Sequence, residues 1–201
     1  MALKRFGIDG YGQLELNNVF FRREGAIEAQ CALDPEKFAL EGKANGEKIY
    51  AENGMLLAVD KANGIIKLPE YKDTDATLPI ALNYSTEHMY DERHKRLGDY
   101  YLPAGTFYPR MGYPKKGEVW TTNCLAYDDT KFADDEALKT ALENIKENPL
   151  FGVPCTNGAT QIVNGEGLGE ADRRLVLRVV KYYTMPDGTP GVKFQVISAM
   201  N

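Results

Sequence analysis

The chain is poor in the residues that most often carry chemistry. Its 201 residues include two histidines, His88 and His94, three cysteines, Cys31, Cys124 and Cys155, and one tryptophan, Trp120. Cysteines that are odd in number, far apart and free of any C-x-x-C spacing support neither a disulfide framework nor a zinc knuckle. Reduced thiols in a cytosolic setting are expected. The histidines share one stretch, EHMYDERH, six residues apart, whereas ligands on one helix face stand three or four apart. His88 with Asp91 or Glu92 would still lack a further protein ligand for zinc. No metal and no cofactor is expected.

Other absences narrow the function further. There is no G-x-S-x-G elbow, no H-E-x-x-H helix and no glycine-rich run followed by Lys-Ser or Lys-Thr. The run Asn164-Gly165-Glu166-Gly167-Leu168-Gly169 lacks the G-x-G-x-x-G spacing and reads as a loop. A cysteine nucleophile would need a base, and both histidines sit in one polar stretch. No catalytic residue is assigned, and an enzyme is not expected. No stretch approaches the about 20 apolar residues of a membrane span, and MALKRFGIDGYGQ has no apolar run of the signal-peptide kind. A net charge of −5 disfavours nucleic acid as the main partner.

What is present is a string of short apolar runs separated by turn signals. Hydrophobic residues make up 43% and charged residues 26% of the chain, a balance that argues for one folded core. In Met55–Pro69, MLLAVDKANGIIKLP, two apolar runs flank Asn63-Gly64, a hairpin turn pair. Its strands are too hydrophobic for water on both faces, so the rest of the chain or another subunit must cover them. Leu14–Phe21 and Ala26–Leu33 suggest a second hairpin. Asp34-Pro35-Glu36 suggests a turn or one helical turn through Phe38, Ile49-Tyr50 a short strand, and Leu78–Tyr84 another strand in which Pro79 marks an edge or entry. Leu175–Tyr183 and Val192–Ile197 form a last hairpin.

Two helices are predicted. Ser85–Leu97 carries acids early and bases late before Gly98, a dipole-matched order for a short exposed helix. Ala133–Asn148 aligns Ala137, Leu138, Ala141, Leu142 and Ile145 on one stripe, begins with acids and stops before Pro149. Phe151–Asp172 reads as turns. The predicted fold class is mainly β with one or two helices: short antiparallel strands in a sandwich or small barrel, with one amphipathic helix packed on it. Residues 1–12 are expected to form an arm, lying across its own core or docked on a neighbour. Residues 13–201 are expected to form one β-rich domain.

Tyr100–Trp120 concentrates Tyr100, Tyr101, Phe107, Tyr108, Tyr113 and Trp120 among prolines and glycines. Prolines block regular elements, and rings of this number call for burial in a core or an interface. Its basic part, Tyr108–Lys116, has the mixture that stacks single-stranded bases, a lesser alternative.

The hairpin GMLLAVDKANGIIKLP, the arm MALKRFGIDGYG and the loop DYYLPAGTFYPRMGYP resemble virion proteins of tailed bacteriophages, in particular auxiliary proteins that decorate the head. The resemblance covers about the first half of the chain. It implies a capsid decoration or cement role without enzymatic activity. It also implies synthesis in the host cytoplasm, residence in the virion, binding to a major capsid protein or other virion protein, and homo-oligomeric association. The expected partner-binding residues are Phe6, Ile8, Tyr101, Phe107, Tyr108, Tyr113 and Trp120. A carbohydrate- or receptor-binding β-module of a tail or fibre, and a small enzyme with an unrecognised site, are the alternatives.

Overall fold

The last hairpin shows most directly how sequence becomes structure here. Val192, Phe194 and Val196 are buried while Lys193 and Gln195 are partly exposed, the period-2 alternation of a strand with one face in a core. The computed structural model describes residues 2–18, 21, 25–42, 44–45, 47–70, 77–85, 97–105, 108–169, 171–185 and 187–200. In chain order the elements are β1 (Leu3–Arg5), β2 (Leu14–Leu16), β3 (Ile27–Glu28), β4 (Ala32–Leu33), β5 (Leu56–Asp60), β6 (Ile65–Lys67), β7 (Ile80–Asn83), β8 (Met111–Gly112), β9 (Val119–Thr122), β10 (Leu125–Asp128), the helix α1 (Asp135–Glu143), β11 (Leu150–Pro154), β12 (Thr160–Asn164), β13 (Leu175–Thr184) and β14 (Pro190–Ala199).

They form two mixed sheets. The larger has the order β1-β10-β12-β11-β13-β14-β9-β2 and the smaller β3-β8-β7-β5-β6-β4. The β10–β12 and β4–β6 pairs are parallel, the other pairs antiparallel. Between the sheets lies the first core, where Leu56, Ala58, Ile80 and Leu82 of the smaller sheet join Trp120, Leu177, Phe194 and Val196 of the larger. The fold is a β-sandwich, with one α-helix among the described residues. Leu138 and Leu142 of α1 complete this core, so the helix packs on the sheet as its apolar stripe requires.

The other face of the smaller sheet is also covered. Leu57, Val59, Ala81 and Met111 pack with Phe38, Ala51, Tyr100, Leu102 and Ala104 in a second core. The covering segments are bonded to one another: Ala51 and Leu102 exchange N–H···O bonds of 2.9 and 2.8 Å, Ala39 N donates to Ile49 O at 2.8 Å, and Ala104 N to Ala39 O at 2.8 Å. The central hairpin, β5 with β6, therefore has both faces hidden by its own chain. No second subunit is needed to cover it.

Several expectations are corrected. β2 and β3 are not a hairpin: β2 pairs with β9 in the larger sheet and β3 with β8 in the smaller. Of the two placements expected for residues 1–12, the described residues lie on their own chain: β1 pairs with β10, and Phe6 N and Tyr11 N donate to Leu125 O and Gly98 O. The helix is shorter than 133–148. It starts after Asp134, whose carboxylate accepts from Ala137 N at 2.8 Å, and is capped at Asn144, whose Nδ2 turns back onto Thr140 O. Residues 151–172 hold β11 and β12 rather than turns alone. In the central hairpin the turn is four residues, Lys61–Gly64, with only Gly64 at positive φ, +67°. Asp60 closes it, accepting from Asn63 N at 3.1 Å and Nδ2 at 2.7 Å. The helical turn from Asp34 to Phe38 is as expected. The helix expected over 85–97 lies almost wholly outside the described residues. No helix among the described residues is long and apolar enough to cross a membrane.

Candidate functional site

The rings expected to grip a partner are distributed by the fold into three environments. Trp120 is 0% exposed, because β9 is flanked by β14 and β2 and points this side chain into the inter-sheet core. Phe6, just beyond β1, is buried in the same core, and Ile8 is half-buried against it. Tyr113 is buried in the second core, with Lys61 Nζ 5.2 Å from its ring centre. Burial, with a smaller contribution from Glu28, pushes its phenol up to about 12. As partner anchors, Trp120, Phe6 and Tyr113 are corrected to core residues of the folded chain: each side chain is already enclosed by its own fold.

Tyr101 belongs to a second group. It stacks on Tyr50 with ring centres 4.3 Å apart and an interplanar angle of 23°, and meets Tyr11 at 4.9 Å. The three rings tie the N-terminal segment to residues 50 and 101. Offset ring pairs of this kind add about 0.5–1.5 kcal/mol beyond the area they bury. Burial and the neighbouring phenols raise the Tyr11 hydroxyl above its ordinary range.

The third environment is the loop tip. Tyr108 is 62% exposed, while Phe107 lies outside the described residues. Backbone bonds are made at Ala104 and at Arg110: Ala104 N donates to Ala39 O, Tyr84 N donates to Arg110 O at 3.0 Å, and Arg110 N donates to Ser85 Oγ at 2.7 Å. Pro109 is buried next to the exposed ring. Leu40, 44% exposed, reaches the same loop, its Cδ2 standing 3.2 Å from where a side chain on Gly105 would begin. Ile27, 46% exposed, sits on edge strand β3 opposite Gly112. Three of the five exposed large apolar side chains among the described residues thus lie on the aromatic loop or against it.

Leu40 and Ile27 were not singled out from the sequence. Leu40 stands directly before the turn at Glu41-Gly42, a signal that could have marked it as an apolar side chain at a surface bend. Ile27 gives no such signal, since in AIEAQCAL the same alternation fits either face of a strand.

A different group sits between β1 and residues 49–52, where Arg5, Phe6, Ile49, Glu52 and Asn157 line a cavity of about 410 Å³. Glu52 accepts from Arg5 Nη2 at 2.8 Å and Gly12 N at 2.7 Å, so its carboxylate is engaged by a cation and a backbone donor. The thiols of Cys124 and Cys155 are buried, and burial pushes both up to about 12. A nucleophilic cysteine requires the opposite shift. Cys155 Sγ also donates toward Asn157 Oδ1 and Ala159 O, which fixes it as a packed, neutral group. His88 and His94 lie outside the described residues.

No protein family, no curated protein and no solved structure matches this chain.

Proposed function

We propose that the chain is a non-enzymatic virion structural protein that docks on a lattice of major capsid protein, in the manner of a decoration or cement protein. The observation that carries this reading is the exposed ring of Tyr108, which directly precedes a buried Pro109 and an Arg110 backbone bonded to Tyr84 and Ser85, on a loop against which the exposed Leu40 also stands at Gly105. Exposed aromatic side chains are among the residues that most often anchor interface hot spots. Many copies on a repetitive shell would multiply such a modest contact into firm attachment. Three stretches of the sequence support the same role by resemblance: the central hairpin, the N-terminal segment and the aromatic loop.

The test uses point variants at the tip. Deleting residues 1–12 would strip β1 from the larger sheet and Phe6 from the core, so lost attachment would then report unfolding. Tyr108→Ala and Leu40→Ser leave both cores intact. Co-sedimentation with empty shells from the same virion is expected for the wild type and reduced on the order of tenfold by Tyr108→Ala, as for a central aromatic anchor. Equal attachment of both variants and the wild type would overturn the proposal. Binding to soluble glycans in place of shells would assign the tip to a carbohydrate-binding module instead.

A further inference from the structure

At the opposite end of β8 from Tyr108, a cleft of about 720 Å³ is lined by Gly25, Lys61, Pro79, Tyr113–Lys116 and Ile197–Ala199. Its volume falls within the roughly 300–1,000 Å³ of ordinary ligand sites. The walls come from both sheets: the end of β14 on one side, the β5–β6 turn and the segment following β8 on the other. We propose that this cleft binds an extended acidic peptide segment of a partner protein, which adds to the open edge of β14 and meets Lys61, Lys115 and Lys116.

Two independent features carry the proposal. The first is the strand edge. β9 accompanies β14 only from Val192 to Gln195, and the last bonds on that side join Val196 to Gly117 and Glu118. Beyond Val196, β14 has β13 alone as its neighbour among the described residues. Met200 N donates to Arg174 O at 2.7 Å, so the alternation of an antiparallel pair turns the N–H and C=O of Ala199 away from β13. Those groups face the side on which Lys115 and Lys116 stand, and an extended backbone can pair with them.

The second feature is charge. Three lysines line the cleft. Among the described residues, acids beside these lysines include Glu28, 3.5 Å from Lys61 Nζ, and Glu118, which accepts from Lys115 N at 2.7 Å. Lys115 and Lys116 are exposed and remain available to carboxylates. A nucleic acid fits less well. Stacking a base needs an open ring face, whereas Tyr113 is buried and carries Lys61 over its ring.

The experiment measures fluorescence anisotropy with the full chain. The probes are a labelled peptide of alternating Glu and Val about ten residues long, its Lys-Val counterpart, and an oligothymidylate of similar charge. The Glu-Val peptide is expected to bind and the Lys-Val peptide not to. Reversing Lys115 and Lys116 to Glu together is expected to weaken binding about tenfold or more. Ala199→Pro removes a donor from the open edge and none from the β13 ladder, a placement proline tolerates, and is expected to weaken binding to a similar degree. Near-ultraviolet circular dichroism of Trp120 verifies the fold of each variant, and the double lysine variant, altered only at exposed side chains, carries the test should Ala199→Pro fail to fold. No binding of the Glu-Val peptide, affinity unchanged by charge reversal, or tighter binding of the oligothymidylate would each overturn the proposal. Unchanged binding by folded Ala199→Pro would overturn the strand pairing.

Discussion

Arg174 and Asp172, two positions apart in the chain, form an ion pair that is 5% and 4% exposed, with Nη2 2.6 Å from Oδ2. Arg174 also donates through Nη1 to Leu78 O at 3.1 Å and through Nη2 to Glu70 O at 3.2 Å. One guanidinium therefore ties the start of β13, in the larger sheet, to the segment that leads into β7, in the smaller. Arginine suits this because its planar fork reaches several acceptors at once.

Removing one partner of this pair leaves the other charged and buried. Arg174→Ala is expected to destabilise the protein by about 3–5 kcal/mol, and the paired change Arg174→Met with Asp172→Leu by clearly less. Urea unfolding of Arg174→Ala, and of Arg174→Met, Asp172→Leu and their combination, checks this through the coupling energy.

Gly54 has φ +87°, and a side chain there would begin 2.2 Å from Thr122 Oγ1. Gly54→Ala is thus expected to combine a backbone cost of about 1 kcal/mol with about 1–3 kcal/mol of overpacking. A lowered melting temperature with unchanged secondary structure is the expected result, and a melting temperature equal to wild type would contradict it.

Trp120 and Tyr108 were grouped as one kind of anchor by the sequence, and the fold separates them. Trp120→Ala is expected to cost about 3–5 kcal/mol, as for a fully buried large ring, while Tyr108→Ala should change stability by no more than about 0.5 kcal/mol. Since Trp120 is the single tryptophan, its fluorescence should be blue-shifted in the native state and move to the red at the unfolding midpoint.

The sequence was informative where one strand face alternates or where turn residues punctuate apolar runs. β13 and β14, the β5–β6 hairpin and the helical stripe of Leu138 and Leu142 were all legible for that reason. It failed where pairing is non-local. Nothing local in Leu14–Leu33 reveals that Leu14 will stand beside Thr122 and Ile27 beside Gly112, since those choices are made by cores assembled from distant segments. β11 was missed because Gly152 and Pro154 look like loop residues. Yet Gly152 is required by close approach: a side chain there would begin 2.7 Å from Thr160 Cγ2 and 2.9 Å from the Phe194 ring. For the site, the aromatic loop was legible as a segment, but which of its rings faces water depends on strand direction at Val119 and Met111, which the ring count does not encode.

Acid should weaken the central hairpin through Asp60. Hydrogen bonds from Asn63, and secondarily Lys67, hold its carboxyl below the ordinary range. A depressed folded value contributes stability above the unfolded pKa of about 4, and that contribution is lost as pH falls through the folded value. The stability difference between wild type and Asp60→Asn should narrow on acidification from neutral pH to about 2, as followed by thermal melts.

Alkali acts in the opposite direction on Cys124 and Cys155, both pushed up to about 12 by burial. Raised folded values contribute stability that is complete below the unfolded thiol value of about 8.5 and is lost as pH rises towards about 12. At pH near 8 iodoacetamide should leave both thiols unmodified in the native protein and alkylate them in denaturant, as peptide mass mapping would show. Rapid native labelling of either would contradict their enclosure.

Because Phe38, Ala51, Tyr100, Leu102 and Ala104 roof over β5 and its neighbours, the greasiest stretch of the molecule is already settled before any encounter. Docking of the proposed kind would then meet a central hairpin that is folded in advance. The heat-capacity change of that docking should be small and its rate set by collision and orientation.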